Sequence, residues 1–147
     1  MTRIQRLREL DPKTFEPLVA ESRAAGISFV ERLVREWRDG TNRFDRVGEQ
    51  LLGSFEGEAL IGCGGINVDP YTNDPKLGRI RHVYVRESHR RSSVGTAIVT
   101  ALLEGASIHF SRVRLKTETT AAVRFYEHLG FETRVIDGGF ELVRATA

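Results

Sequence analysis

The order of elements along the chain predicts one α/β domain, a mixed β-sheet flanked by helices. Three observations carry that expectation. Apolar residues recur at helical spacing in four segments and alternate or run continuously in the others, giving the order β-α-α-β-β-β-α-β-α-β-β. Two strand-helix-strand crossovers in that order require some parallel pairing within the sheet. The 147 residues contain no linker, internal repeat or low-complexity tract, so residues 1–147 are expected to form a single domain.

Residues 3–9 fit a short strand, although Ile4, Leu7 and Leu10 also recur every third position. Asp11-Pro12 is a helix entrance, with Asp as N-cap and Pro in the first turn, and Phe15, Leu18, Val19 and Ser22 share one face before Gly26. Ser28 and Glu31 have capping-box spacing ahead of a stripe of Phe29, Val30, Leu33, Val34 and Trp37 that stops at Asp39-Gly40. Leu51–Phe55 and Ala59–Val68, joined at Glu56-Gly57, read as a hairpin. From Arg79 to Val85 the residues alternate, Ile80, His82 and Tyr84 against Arg81, Val83 and Val85. A turn rich in Arg and Ser, Glu87–Ser93, then opens a helix carrying Val94, Ala97, Ile98, Ala101, Leu102 and Gly105. Residues 112–118 alternate again, with Val113, Leu115 and Thr117 opposed to Arg112, Arg114, Lys116 and Glu118. Thr119 or Thr120 caps a helix with Ala122, Phe125, Tyr126 and Leu129, stopped at Gly130. The segments 131–136 and 140–143 close a last hairpin around Asp137-Gly138-Gly139.

Composition narrows the function classes. The 22 Lys plus Arg nearly balance the 20 Asp plus Glu, which is too little net charge to hold a nucleic acid unless concentrated. The densest basic run is Arg79, Arg81, Arg86, His89, Arg90 and Arg91. The longest uncharged apolar stretch, Ala59–Val68, is half a membrane span, and the N-terminal residues lack a signal-peptide core, so no membrane partner and a cytoplasmic location are expected. Cys63 is the one cysteine and the four histidines lack ligand spacing, so no metal is expected. Gly62-Cys63-Gly64-Gly65 runs on into Ile66-Asn67-Val68-Asp69-Pro70 rather than a helix; it fails the dinucleotide fingerprint and marks a bulge or close approach within a strand.

The segment that carries chemistry is the strand Ile80–Val85, its turn and the helix from Val94. A helix N-terminus fed by a tight turn gathers unpaired N–H groups and the positive end of the helix dipole, which suits a phosphate. Arg90 and Arg91 add charge, Ser92, Ser93 and Thr96 add hydroxyls, and Gly95 allows close approach. A solvated turn capped by serine is the other reading of the same residues.

Two motifs resemble the GCN5-related N-acetyltransferases. The family's Arg/Gln-x-x-Gly-x-Gly/Ala at a helix start is similar to Arg90-Arg91-Ser92-Ser93-Val94-Gly95, and its Tyr-Glu-x-Leu-Gly-Phe is similar to Tyr126-Glu127-His128-Leu129-Gly130-Phe131. The likeness spans nearly the whole chain. It implies the acyl-CoA N-acyltransferase fold, with a mixed, mostly antiparallel sheet. It also implies that acetyl-coenzyme A is co-substrate and that the acceptor is an amine on a small molecule or peptide. Homodimers are common in the family. By position, the resemblance places the pyrophosphate on the amides of Arg91–Thr96, including Ser92, Ser93, Val94 and Gly95, with Arg90 adjoining. The pantetheine arm falls along Val83, Tyr84 and Val85, and Tyr126 is the general acid. Ser93 stands where the family has its first glycine, and Thr119 where it often has an asparagine contacting the cofactor arm. Amine attack also needs a proton acceptor, for which Glu118, His82 and Glu31 are candidates. A polyamine acceptor would call for more carboxylates than the polar loops hold. Two other readings remain: a coenzyme-binding module without catalysis, and a nucleic-acid binder on the arginine run, with few aromatic residues to support it.

Overall fold

The computed structural model describes residues 1–146. Its elements are β1 (Arg3–Arg6), α1 (Pro12–Ala24), α2 (Phe29–Asp39), β2 (Gln50–Glu56), β3 (Ala59–Val68), β4 (Leu77–Val85), a short 3-10 turn (Glu87–His89), α3 (Val94–Ala106), β5 (Arg112–Thr117), α4 (Thr120–His128), β6 (Glu132–Ile136) and β7 (Gly139–Ala145). The expected order is therefore the observed one, and residues 3–6 resolve as strand. Local chemistry accounts for several boundaries. The Asp11 carboxylate accepts from Lys13 N–H at 3.0 Å, and Pro12 lies in the first turn of α1. Gly40 ends α2 in the left-handed conformation. Thr119 caps α4 by accepting from Ala122 N–H at 3.2 Å. The expected capping box at α2 does not form. Ser28 makes no side-chain cap bond, and Glu31 is drawn instead to Arg23 of α1 at 3.1 Å.

Among the described residues the seven strands order as β1-β2-β3-β4-β5-β7-β6, with β4 and β5 the one parallel pair. The second crossover, β5-α4-β6, skips a place because β7 inserts between β5 and β6. One face carries α3 and α4 over Ile66, Ile80, Val113, Leu115 and Leu142; the other carries α1 and α2 over Leu51, Cys63 and Tyr84. The buried face of α3 is wider than its sequence stripe: Val99, Leu103 and Ala106 are buried, whereas Ala97 is exposed. Arg114, expected on the open side of β5, is buried because it donates to Asp69 at 2.8 Å and Glu141 at 2.7 Å.

Two irregularities shape the centre of the sheet. Parallel pairing of β4 with β5 covers only Leu77–Arg79 against Arg112–Arg114; beyond it the strands part. On the other side of β4, Cys63 pairs with Tyr84 and Gly65 with Arg81, so two residues of β4 oppose Gly64 alone. This β-bulge puts His82 at φ +61° and breaks the expected alternation. Ile80 and Val83 face α3, whereas His82 and Tyr84 face α1 and α2. The glycines opposite make room: a Cβ on Gly64 would lie 2.7 Å from Ile98 Cγ2, and one on Gly65 2.4 Å from Phe44 Cε1. Both alternatives read from Gly62–Gly65, bulge and close approach, are present.

Candidate functional site

The turn between β4 and α3 has an unusual hydrogen-bond account. The amides of His89 and Arg90 are used within the 3-10 turn, and Ala97 N–H begins the helical ladder by donating to Ser93 at 3.0 Å. Between them, the six N–H groups of Arg91–Thr96 have no acceptor among the described residues. Arg91 and Ser93 both take left-handed φ, 66° and 68°, and alternation of left- and right-handed residues turns successive amides toward one side. Conformational freedom is thus demanded at Arg91 and Ser93 rather than at Gly95. A Cβ on Gly95 would point inward, 3.4 Å from Phe125 Cζ and 3.6 Å from Val85 Cγ2. The Ser93 side chain makes no cap bond, and Ser92 Oγ donates to the His89 carbonyl. Arg91 is exposed, while Arg90 folds back, its Nε donating to the Val85 carbonyl at 2.9 Å and its guanidinium lying over Tyr84.

The parting of β4 and β5 opens a cavity of about 790 Å³ that reaches both faces of the sheet. On the α4 side its wall includes Val83, Leu115, Thr119, Ala122 and Tyr126; on the α2 side it includes Phe29, Arg32, Arg79, Arg81 and His82, with Glu118 at the end of β5. The Tyr126 ring sits edge-on to Phe125 and Phe131, with centroids 4.9 and 5.4 Å away, and burial pushes its phenol well above its ordinary value. His82 is buried against Phe29 and Phe44, and neither ring nitrogen has a hydrogen-bond partner. Burial first, then the charges of Arg81, Arg32 and Arg79, pushes the imidazole down to about 3. Of the three proton-acceptor candidates, His82 and Glu118 line the cavity, whereas Glu31 is outside its lining and bound to Arg23. Thr119 is on the cavity wall with its hydroxyl committed to the α4 cap.

Glu21 is the organising residue that sequence inspection missed. From α1 its carboxylate accepts the Tyr84 hydroxyl, the Glu87 amide at 3.1 Å and Arg86 Nε at 3.5 Å. Burial opposes its charge, but those bonds outweigh it and hold the carboxyl below its ordinary value. Burial and Glu21 together push the Tyr84 phenol up to about 12. This tie fixes the end of β4 where the turn begins. In sequence Glu21 is one more polar position of an amphipathic helix, and no local signal distinguishes it.

The fold that carries this cradle of free amides is shared with known proteins. The profile of the Acetyltransferase (GNAT) family matches residues 5–131. The chain belongs to the GNAT acetyltransferase family. A solved acetyltransferase-like structure from Exiguobacterium sp. is 27% identical over 99% of this chain and 93% of that one, with a TM-score of 0.86. A GNAT-family structure from Desulfovibrio desulfuricans (15% identity, all of both chains, TM-score 0.77) and an acetyltransferase from Streptococcus agalactiae (16% identity, 98% of both chains, TM-score 0.78) share the fold. No curated protein matches the chain. GNAT proteins use acyl-coenzyme A and generally act on amine-bearing acceptors. The expected family and the expected fold class, a mixed sheet flanked by helices, are those observed, with four helices. Among the described residues no group of His, Cys, Asp and Glu could hold a metal ion, and no helix is long and apolar enough to cross a membrane. Cys63 is fully buried, and burial pushes its thiol up to about 12.

Proposed function

We propose that the chain transfers the acetyl group of acetyl-coenzyme A to a primary amine by direct attack within a ternary complex. The observation that carries this reading is the run of free amides from Arg91 to Thr96 at the mouth of the cavity-forming strand β4. These amides and the positive end of α3 fit a diphosphate, with Arg91 and Thr96 supplying further donors. Past Arg79 no strand pairs with the β4 edge facing β5, and although Arg90 Nε already donates to the Val85 carbonyl, the rest of Val83–Val85 can bond an amide-bearing arm as an added strand would. Bound there, acetyl-coenzyme A supplies a thioester carbonyl open to attack by an amine.

The remaining roles belong to side chains. Tyr126 stays protonated because burial disfavours phenolate, so it is suited to donate its proton to a departing thiolate whose parent thiol lies near pKa ~8.5. Glu118, at the end of β5 on the cavity wall, takes the proton of the attacking amine and passes it to solvent, while His82, its ring nitrogens buried, stays neutral beside the cavity. His82 is too weak a base to keep that proton, given its pKa of about 3. The domain is expected to act in the cytoplasm and need no metal. Calorimetry with acetyl-coenzyme A, alongside thiol release over an amine panel, tests the reading. Micromolar binding with turnover of at least one amine supports it. Binding with no thiol released from any amine would leave a coenzyme-binding module instead.

A further inference from the structure

The arginine run of the sequence separates in space into two groups with different surroundings. Arg86 and Arg90 gather around Glu21, at 3.5 and 4.0 Å. Arg79 and Arg81, two residues apart on β4, line the α2 side of the cavity together with Arg32 of α2. Among the described residues these three make no ion pair, although eight other ion pairs are formed. The Arg79 guanidinium lies 4.8 Å from the centre of the Tyr71 ring, with Lys116 Nζ 5.4 Å from the same ring, so a fourth cation borders the group. Glu36 attracts Arg81 only from beyond ion-pair distance. Arg81 is half-buried, and its guanidinium is held below its ordinary value by burial and by Arg79 and Arg32.

Arg79 and Arg81 are half-buried and repel each other, with the exposed Arg32 adding to that repulsion, and a structural role for the half-buried pair would supply carboxylates, as Asp69 and Glu141 do for Arg114 on the neighbouring strand. The two carboxylates of the cavity wall, Glu118 and Asp137, make no ion pair with them. The group lies beside His82, on the face of the sheet opposite α3 and Tyr126, which is where an acceptor would meet the thioester if the acetyl-transfer reading holds. We propose that the acceptor amine also carries an anionic group, a carboxylate or a phosphate, which Arg79, Arg81 and Arg32 hold. The inference rests on that reading and adds the substrate class to it. A guanidinium fork suits both anions, and the same charges disfavour polyamines and other polycations.

The test compares matched acceptors by thiol release: phenylalanine with phenylalaninamide, and phosphoethanolamine with ethanolamine. The expected result is a preference of about tenfold or more in kcat/KM for the anionic member of at least one pair, as a charge-assisted hydrogen bond provides. The double variant Arg79→Gln/Arg81→Gln is expected to abolish that preference while acetyl-coenzyme A affinity stays within about twofold. Equal or better turnover of the neutral members, or a preference that survives in the double variant, overturns the proposal. If no amine is turned over, acetyl transfer fails but the anion site is still tested. The Nε–Hε resonances of Arg79 and Arg81 should then shift saturably with phenylacetate or phenyl phosphate and not with phenylacetamide. Resonances unmoved by either anion overturn it.

Discussion

Exchanging the two serines of the β4–α3 turn for glycine, one at a time, should move stability in opposite directions. Ser93 has φ 68°, where an L side chain costs about 1–2 kcal/mol and glycine does not. Glycine in turn loses about 0.4–1 kcal/mol through the freedom it gains in the unfolded chain. Ser93→Gly is therefore expected to stabilise the domain by about 0.5–1 kcal/mol, the difference between those two effects. Ser92 has no such strain to relieve, and its hydroxyl donates to the His89 carbonyl. Ser92→Gly should therefore destabilise by about 1–2 kcal/mol from chain entropy and the lost bond together. For a domain of this size 1 kcal/mol is roughly 3 °C in Tm, so the two variants should melt about 5–8 °C apart, with wild type between. Thermal unfolding followed by circular dichroism reads the gap directly. Removing the Ser93 Cβ from the amide cradle should also tighten acetyl-coenzyme A in calorimetry. Equal destabilisation by both variants would show that Ser93 does not hold the left-handed conformation, and the convergence of the Arg91–Thr96 amides would go with it.

Tyr126→Phe should lower kcat by about 10²-fold or more with acetyl-coenzyme A affinity unchanged, as measured by steady-state thiol release and calorimetry; unchanged turnover would remove its role as acid. Arg114→Met should destabilise by about 3–5 kcal/mol in urea unfolding, because it strands the buried Asp69 carboxylate and leaves Glu141 with Arg134 alone. Burial opposes the Asp69 charge but Arg114 outweighs it, and Arg114 likewise holds Glu141 down; both folded carboxyls thus titrate below the ordinary range. Their contribution is present above about pH 4 and is lost as pH falls through the depressed folded values, and in the Arg114→Met variant that acid-side slope should be shallower. His82 has the opposite consequence. Between about 6.5, its unfolded value, and about 3 the unfolded chain binds a proton that the folded one does not, so stability should fall as pH drops through that window. Urea midpoints of His82→Asn between pH 7 and 4.5 should show a weaker fall than wild type. Arg81→Gln should raise Tm in the absence of ligand by relieving repulsion from Arg79 and Arg32, measured by thermal unfolding at low salt.

Much of this molecule could be read along the chain because its determinants are local. Asp11-Pro12 caps a helix by its own side chain and ring, Gly40 ends one by its φ, and Thr119 caps another three residues from its partner. The order of elements and the two motifs around Gly95 and Tyr126 are equally local, and they sufficed for the fold class and the family. The left-handed turn was legible only in part: the residue types marked Gly95 for close approach, whereas the left-handed conformations fall at Arg91 and Ser93, neither of them glycine. What residue spacing could not reveal was set by partners far away in the chain. Arg114 alternates like an exposed strand residue and is buried because Asp69 and Glu141 arrive from elsewhere. His82 looked like a member of a regular alternating strand, but the bulge opposite Gly64 turned it to the α2 face with neither nitrogen bonded. Glu31 had the spacing of a cap and went to Arg23, while Glu21, with no motif around it, came to anchor Tyr84 and the turn. Charge behaves the same way: within one run of arginines in sequence, Arg86 and Arg90 came to share the Glu21 carboxylate while Arg79 and Arg81 came to face a cavity without an ion pair, because strand direction sends side chains to places the chain order does not specify. Periodicity and capping act over a few residues and are written in the sequence; burial, ion pairing and proton affinity depend on distances between remote residues, and only the folded chain sets those.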